Sequence, residues 1–152
     1  MARQAKGQKI RYHFAGSWKD EENEAEFYTF VKEHGLEDQV IHHGFVSGED
    51  KSVLFKQAHV LLYPSKNDAF PLTLLESLSY GVPVIATDEG SISYILDAKC
   101  GIILKDVSNL LKALKEAKET LLNKEIAKHC RKRYEENFSQ KQFENNLLEV
   151  LR

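Results

Sequence analysis

The chain has 152 residues, a formal net charge of −2, 42% hydrophobic residues and 29% charged residues, the make-up of one soluble domain with one hydrophobic core. So small a charge excludes the electrostatic footprint of a nucleic-acid partner or an anionic membrane, and no apolar run reaches bilayer-spanning length. The N-terminal stretch MARQAKGQKIRYHF is basic but has no apolar signal core and no small-residue cleavage site, so the expected compartment is the cytoplasm.

In chain order, five short runs rich in aliphatic or β-branched residues predict strands: Lys9 to Gly16, Gln39 to Val46, His59 to Ser65, Pro83 to Thr87, and Gly101 to Leu104. Helical stretches alternate with them. DEENEAEFYTFVKEHG begins acidic, sets Phe27, Phe30 and Val31 on one face, and stops at Gly35. GEDKSVLFKQA is shorter. Leu72 to Tyr80 follows, with Gly81 expected as the left-handed residue that ends it. SISYILD is brief. From Ser108 onward the chain reads as amphipathic helix with a break around Asn137–Ser139, and Leu110, Leu111, Leu114, Ala117 and Leu121 form a stripe expected to pack as core. Strand–helix alternation with aliphatic strands predicts a parallel, doubly wound α/β sheet with extra C-terminal helices, a single domain over residues 1–152.

The two cysteines, Cys100 and Cys130, lie far apart and outside any CxxC, so reduced, buried thiols are expected. The adjacent His42 and His43 cannot converge on a metal if they sit on a strand, where neighbours face opposite ways. No metal is expected.

A doubly wound sheet binds its ligand beyond the carboxyl ends of its strands. The residues there are Gly16-Ser17-Trp18, Gly44-Phe45, Lys66-Asn67-Asp68-Ala69-Phe70 and Asp88-Glu89-Gly90-Ser91. These small, polar and aromatic residues imply a cleft for a polar, ring-bearing ligand. Pro71 fits the first position of a helix, where its missing N–H costs nothing. The free N–H groups of Leu72 and Thr73 then favour an anion such as a phosphate. Glu76 lies one turn after Leu72, and its two acceptor oxygens suit a vicinal diol such as a ribose. Asp68, just ahead, can accept from sugar hydroxyls. A plainer reading stays open at this point: Glu76 as a solvated residue on the exposed edge and Asp68 as a turn former that caps the helix.

PSKNDAFPLTLLESLSYGVPVIATDEGSISYIL, with CGIIL after it, resembles the donor-binding half of GT-B glycosyltransferases, in particular the large retaining family four. Asp68 and Glu76, seven residues between them, match that family's acid pair. Phe70-Pro71-Leu72 and Gly81-Val82-Pro83-Val84-Ile85 match the motifs around it, and VIHHGFVSGEDKSVLFKQAHVLLYPS matches upstream. The resemblance runs from about Ile10 to Leu104. It implies a Rossmann-like fold, one half of GT-B, in an enzyme that moves a sugar from a UDP-, GDP- or ADP-sugar to an acceptor with retention of configuration. By the same resemblance, Glu76 binds the ribose and Asp68 contacts the transferred sugar and helps the reaction centre. Main-chain groups of Phe70, Pro71, Leu72 and Thr73 approach sugar and phosphate, the base rests near Phe45 and Val46, and Gly16 gives backbone room. Protein groups rather than a metal stabilise the leaving diphosphate.

The chain also departs from the pattern. Asp68 stands where glutamate is usual, Pro71 where glycine is frequent, Ser91 where a second glycine is frequent, and Tyr94 where a glutamate is frequent. The N-terminal, acceptor-binding half of GT-B is not in this sequence, nor is the strand that carries an Arg/Lys pair for the diphosphate. The expectation is therefore a piece of a longer enzyme that supplies donor binding and is inactive alone. Its expected role is cell-surface polysaccharide or glycoconjugate synthesis, with any contact at the inner membrane face made by other parts. The competing expectation is a noncatalytic nucleotide-sugar-binding or interaction module of the same fold. A receiver-type signalling domain would need an acidic cluster where Gly16-Ser17-Trp18 stands.

Overall fold

The computed structural model describes residues 10–151; Lys9, the start of the first predicted strand, and most of the basic N-terminal stretch lie outside them. The chain divides into two compact units, Met1–Leu54 and Phe55–Arg152. Among the described residues five strands and seven α-helices follow one another, their strand pairs are all parallel, and the class is α/β.

In the first unit β1 (Tyr12–Phe14) pairs with β2 (Val40–His42), Tyr12 opposite Val40. The crossover is α1 (Glu21–Glu33). Asp20 caps it by accepting from the Asn23 N–H at 2.9 Å, and Glu21, Glu22 and Glu24 complement the positive end of its dipole. Of its predicted apolar face, Val31 is buried, Phe27 is half-buried and Phe30 is exposed. Phe45 and Val46 were expected inside the second strand. Pairing ends at His42, and Gly44 turns the chain with φ +65 before Phe45 is reached. The helix α2 (Gly48–Gln57) follows.

The second unit is a three-stranded sheet in the order β3 (Leu61–Tyr63), β4 (Val84–Thr87), β5 (Gly101–Leu104). All four residues of β4 are buried, as expected of a central parallel strand covered on both faces. Its side chains alternate. Val84 and Ala86 join a core with Leu74 and Leu78 of α3 (Leu72–Ser79), Ile92 and Ile95 of α4 (Ile92–Ile95), Cys100, and Cys130 of α6 (Lys124–Asn137). Ile85 faces the other way, into Leu110, Ala113 and Ala117 of α5 (Leu110–Thr120) and Leu121. The predicted α5 stripe is therefore core, with Leu111 and Leu114 half-buried and Ala113 added to it.

The C-terminal third has one more break than expected. Asn123 caps α6 by accepting from the Ile126 N–H at 3.0 Å and so separates it from α5. A short 3-10 turn, Val107–Asn109, precedes α5. Ser139 caps α7 (Gln140–Val150). Gly81 ends α3 as predicted, with φ +77, its N–H donating to the Leu78 carbonyl and that of Val82 to the Ser77 carbonyl. No helix among the described residues is long and apolar enough to cross a membrane.

Candidate functional site

In the second unit the chain leaving β3 meets the chain leaving β4. The Thr87 hydroxyl donates to the Ser65 carbonyl at 2.5 Å, and the Ser91 N–H donates to the Ala69 carbonyl at 3.1 Å. Gly90 lies between them at φ +50. A Cβ there would sit 2.3 Å from the Asp68 carbonyl oxygen and 2.8 Å from that of Ala69. Only glycine allows so close an approach. Asn67 takes φ +64, a left-handed turn that asparagine tolerates. The two loops thus form one hydrogen-bonded rim at the carboxyl end of the sheet.

Asp68 sits in this rim, half-buried. Its Oδ1 accepts from the Phe70 N–H at 3.2 Å, and its Oδ2 accepts from the Tyr63 hydroxyl at 2.5 Å. The turn-forming role left open by the sequence is therefore real, but Asp68 does not cap α3, whose N-cap Pro71 receives no side-chain hydrogen bond. Burial, and then the Asp68 hydrogen bond, push the Tyr63 phenol above its ordinary pKa, so it stays a donor at neutral pH. The sequence singled out Asp68 but not Tyr63, although Tyr63 lies within a predicted strand and closes the observed one.

Pro71 does not occupy the first helical position. Its ψ of 104 is extended, which makes it the cap and Leu72 the first residue of α3. The helix starts at Leu72 as predicted, and the Pro71 carbonyl accepts from the Leu74 N–H at 3.1 Å. The N–H groups of Leu72 and Thr73 fall in the first turn, where the helix offers them no partner. Leu74 and Leu78 are fully buried and anchor the helix, while Leu72 is 66% exposed. Glu76, on the Leu72 face, is half-buried, and Phe70 is exposed. Lys66 is exposed too, and its charge adds to the Ser108 hydrogen bonds that hold the Asp106 carboxyl below its usual pKa.

In the first unit the chain leaving β1 meets the chain leaving β2. The Gly16 N–H donates to the Gly44 carbonyl at 2.8 Å, and the His43 N–H to the Phe14 carbonyl at 2.8 Å. Gly16 has φ +141, and a Cβ there would meet nothing within 4 Å. Val46 is half-buried, whereas Phe45 is 77% exposed. His42 and His43 part as expected: the former reaches the Gly16 carbonyl and Tyr28, the latter stacks on His13. A shallow groove along α1, lined by Trp18, Asn23, Phe27 and Phe30 among others, contains Trp18 of the strand-end residues but none of those assigned to the donor or the acid pair.

One charged cluster escaped the sequence reading. Asp97 accepts from the Lys99 and Cys100 N–H groups and lies 2.8 Å from His129 Nε2 and 3.4 Å from Arg133. Burial opposes its charge, but the hydrogen bonds, that of His129 foremost, outweigh it and hold the carboxyl at about 2. Arg133 also donates to the carbonyls of Ile95 and Tyr94. The cluster clamps α6 to the end of α4, and partners 32 and 36 positions apart leave no local signal.

The fold recurs in solved glycosyltransferases. Sucrose-phosphate synthase from Thermosynechococcus elongatus superposes with a TM-score of 0.81 over 99% of this chain and 40% of its own, at 20% identity. Anabaena Alr3699/HepE in complex with UDP-glucose gives 0.78 over 99% and 43%, at 17% identity. The chain thus has the Rossmann-like architecture of one part of a GT-B enzyme. In sequence it is 32% identical, over 92 residues, to the D-inositol 3-phosphate glycosyltransferase of Arthrobacter sp. (strain FB24), a match that covers 57% of this chain and 22% of that protein. The chain therefore spans well under half the length of these relatives. The model of the glycosyl transferases group 1 family matches residues 1–140, nearly all of the sequence, and the chain belongs to that family.

Proposed function

We propose that the chain is the donor-binding, C-terminal half of a retaining glycosyltransferase of hexosyltransferase type. It holds a nucleotide-sugar for transfer to an acceptor bound by the N-terminal half of the whole enzyme. The observation that carries the reading is the placement of Asp68 and Glu76 on either side of the first turn of α3, beside the rim joined through Gly90. Family membership supports it, as does the UDP-glucose complex of the Anabaena protein that shares the fold.

In this reading Glu76 accepts from the ribose hydroxyls and Asp68 from the transferred sugar. The N–H groups of Leu72 and Thr73, at the positive end of α3, take the diphosphate in place of a metal. Main-chain groups of Phe70 and Pro71 approach the sugar. Phe45 and Val46 contact the base, and Gly16 leaves room for the donor. The whole enzyme acts in cell-surface polysaccharide or glycoconjugate synthesis on the cytoplasmic side of the membrane.

The test is an NMR titration with UDP, GDP and ADP and their sugar conjugates, repeated on Glu76→Ala. Shifts should gather at Phe70 to Thr73 and Glu76, and the tightest nucleotide names the base. Each ribose hydrogen bond to a charged acceptor contributes about 1.5–3 kcal/mol when dry, so the variant should lose at least tenfold in affinity. Unchanged affinity in a folded variant refutes the ribose role. A second reading, a noncatalytic nucleotide-sugar-binding module, is favoured by the engagement of both Asp68 oxygens within the chain. Sugar transfer by the complete protein, with the product anomer read by NMR, separates the two.

A further inference from the structure

Both oxygens of Asp68 already accept a hydrogen bond, yet a carboxylate has about four acceptor sites. One site on each oxygen remains, and its direction is set by what holds the carboxylate. The Phe70 N–H fixes only Oδ1, which leaves the group free to swing about that bond. The Tyr63 hydroxyl on Oδ2 removes the swing.

Tyr63 is well placed to do so. It is the last residue of β3 and pairs with Ala86 of the fully buried strand β4, so its ring hangs from the sheet rather than from the loop it orients. A carboxylate can only accept, so the phenol must donate to Asp68. Tyr63 and Asp68 are both half-buried, which favours the bonded geometry over water.

We propose that Tyr63 is a positioning residue of the sugar subsite: its phenol fixes the Asp68 carboxylate so that the remaining lone pairs meet the hydroxyls of a nucleotide-linked hexose. This rests on the reading of Asp68 as the acid that contacts the sugar. Tyr63 does not touch the donor itself, and its effect is carried through Asp68.

The experiment measures affinity for UDP-glucose and for UDP in the wild-type chain, Tyr63→Phe, Asp68→Asn and the double variant, with amide spectra to establish folding. Tyr63→Phe should weaken UDP-glucose binding by about five- to tenfold, the scale of one hydrogen bond, and leave UDP within about twofold. The double variant should bind UDP-glucose no worse than Asp68→Asn, because residues that act through one group are not additive. A loss in Tyr63→Phe that falls equally on UDP, or that adds to the Asp68→Asn loss, overturns the proposal while the sugar reading of Asp68 survives. UDP-glucose affinity unchanged in Asp68→Asn overturns the sugar reading and the proposal with it, as does a wild-type chain that binds neither ligand at millimolar concentration.

Discussion

The first unit buries Tyr12, Val31 and Leu36 and surrounds them with aromatic side chains that stay partly in solvent, Phe14, Trp18, Phe27 and Tyr28 among them. The second unit buries aliphatic side chains on both faces of β4. Both are parallel strand–helix folds, but among the described residues only the second sandwiches a strand between two helical layers. Burial of apolar area is the main source of stability, so the second unit should hold its shape more firmly. The acid pair and the first turn of α3 lie on that firmer unit, as a site needing fixed geometry should.

The sharpest way to break this contrast is Leu78→Ala. Leu78 is fully buried in the α3–β4 layer, and its loss should cost about 2–5 kcal/mol. Hydrogen exchange should show β4 amides losing protection; if β4 exchanges as before, the sandwich is not what stabilises the unit.

A smaller effect is expected at the Asp97 clamp. Asp97→Asn should cost about 1–2 kcal/mol at pH 7, a charged hydrogen-bond network discounted for partial exposure. The folded carboxyl titrates at about 2, below its unfolded value near 4. Its contribution is therefore complete above about pH 4 and disappears as pH falls toward 2. Urea midpoints of the two proteins should converge over that window, and a gap that persists at pH 2 would contradict the clamp.

The smallest stability effect belongs to the first unit. Phe45→Ala should change stability by no more than about 0.5 kcal/mol, because the ring is 77% exposed. A fall in nucleotide affinity in the same variant, read by titration, would give that exposed ring its purpose at the base. A large loss of stability instead would mean that the first unit depends on its surface aromatics.

What the sequence made legible follows from the range of each interaction. Aliphatic runs located all five strands, and Gly81 announced the end of α3, because both depend on a few neighbouring residues. Strand ends were read too long at Phe45 and Val46, since pairing stops where the partner strand stops, not where β propensity stops. Pro71 was placed one residue too far in, because a fixed φ suits the cap and the first position alike and only ψ separates them. The Tyr63 bond to Asp68, the approach of Gly90 to the Asp68 carbonyl and the Asp97 cluster depend on how loops meet after folding. No periodicity reports them.

Cys100 and Cys130 lie fully buried in one core layer of the second unit, and burial pushes both thiols up to about 12. Protonated and shielded, they should ignore alkylating reagents for as long as that layer stays closed. Labelling then proceeds only through opening, so its rate is a native clock for the unit that carries Asp68 and Glu76.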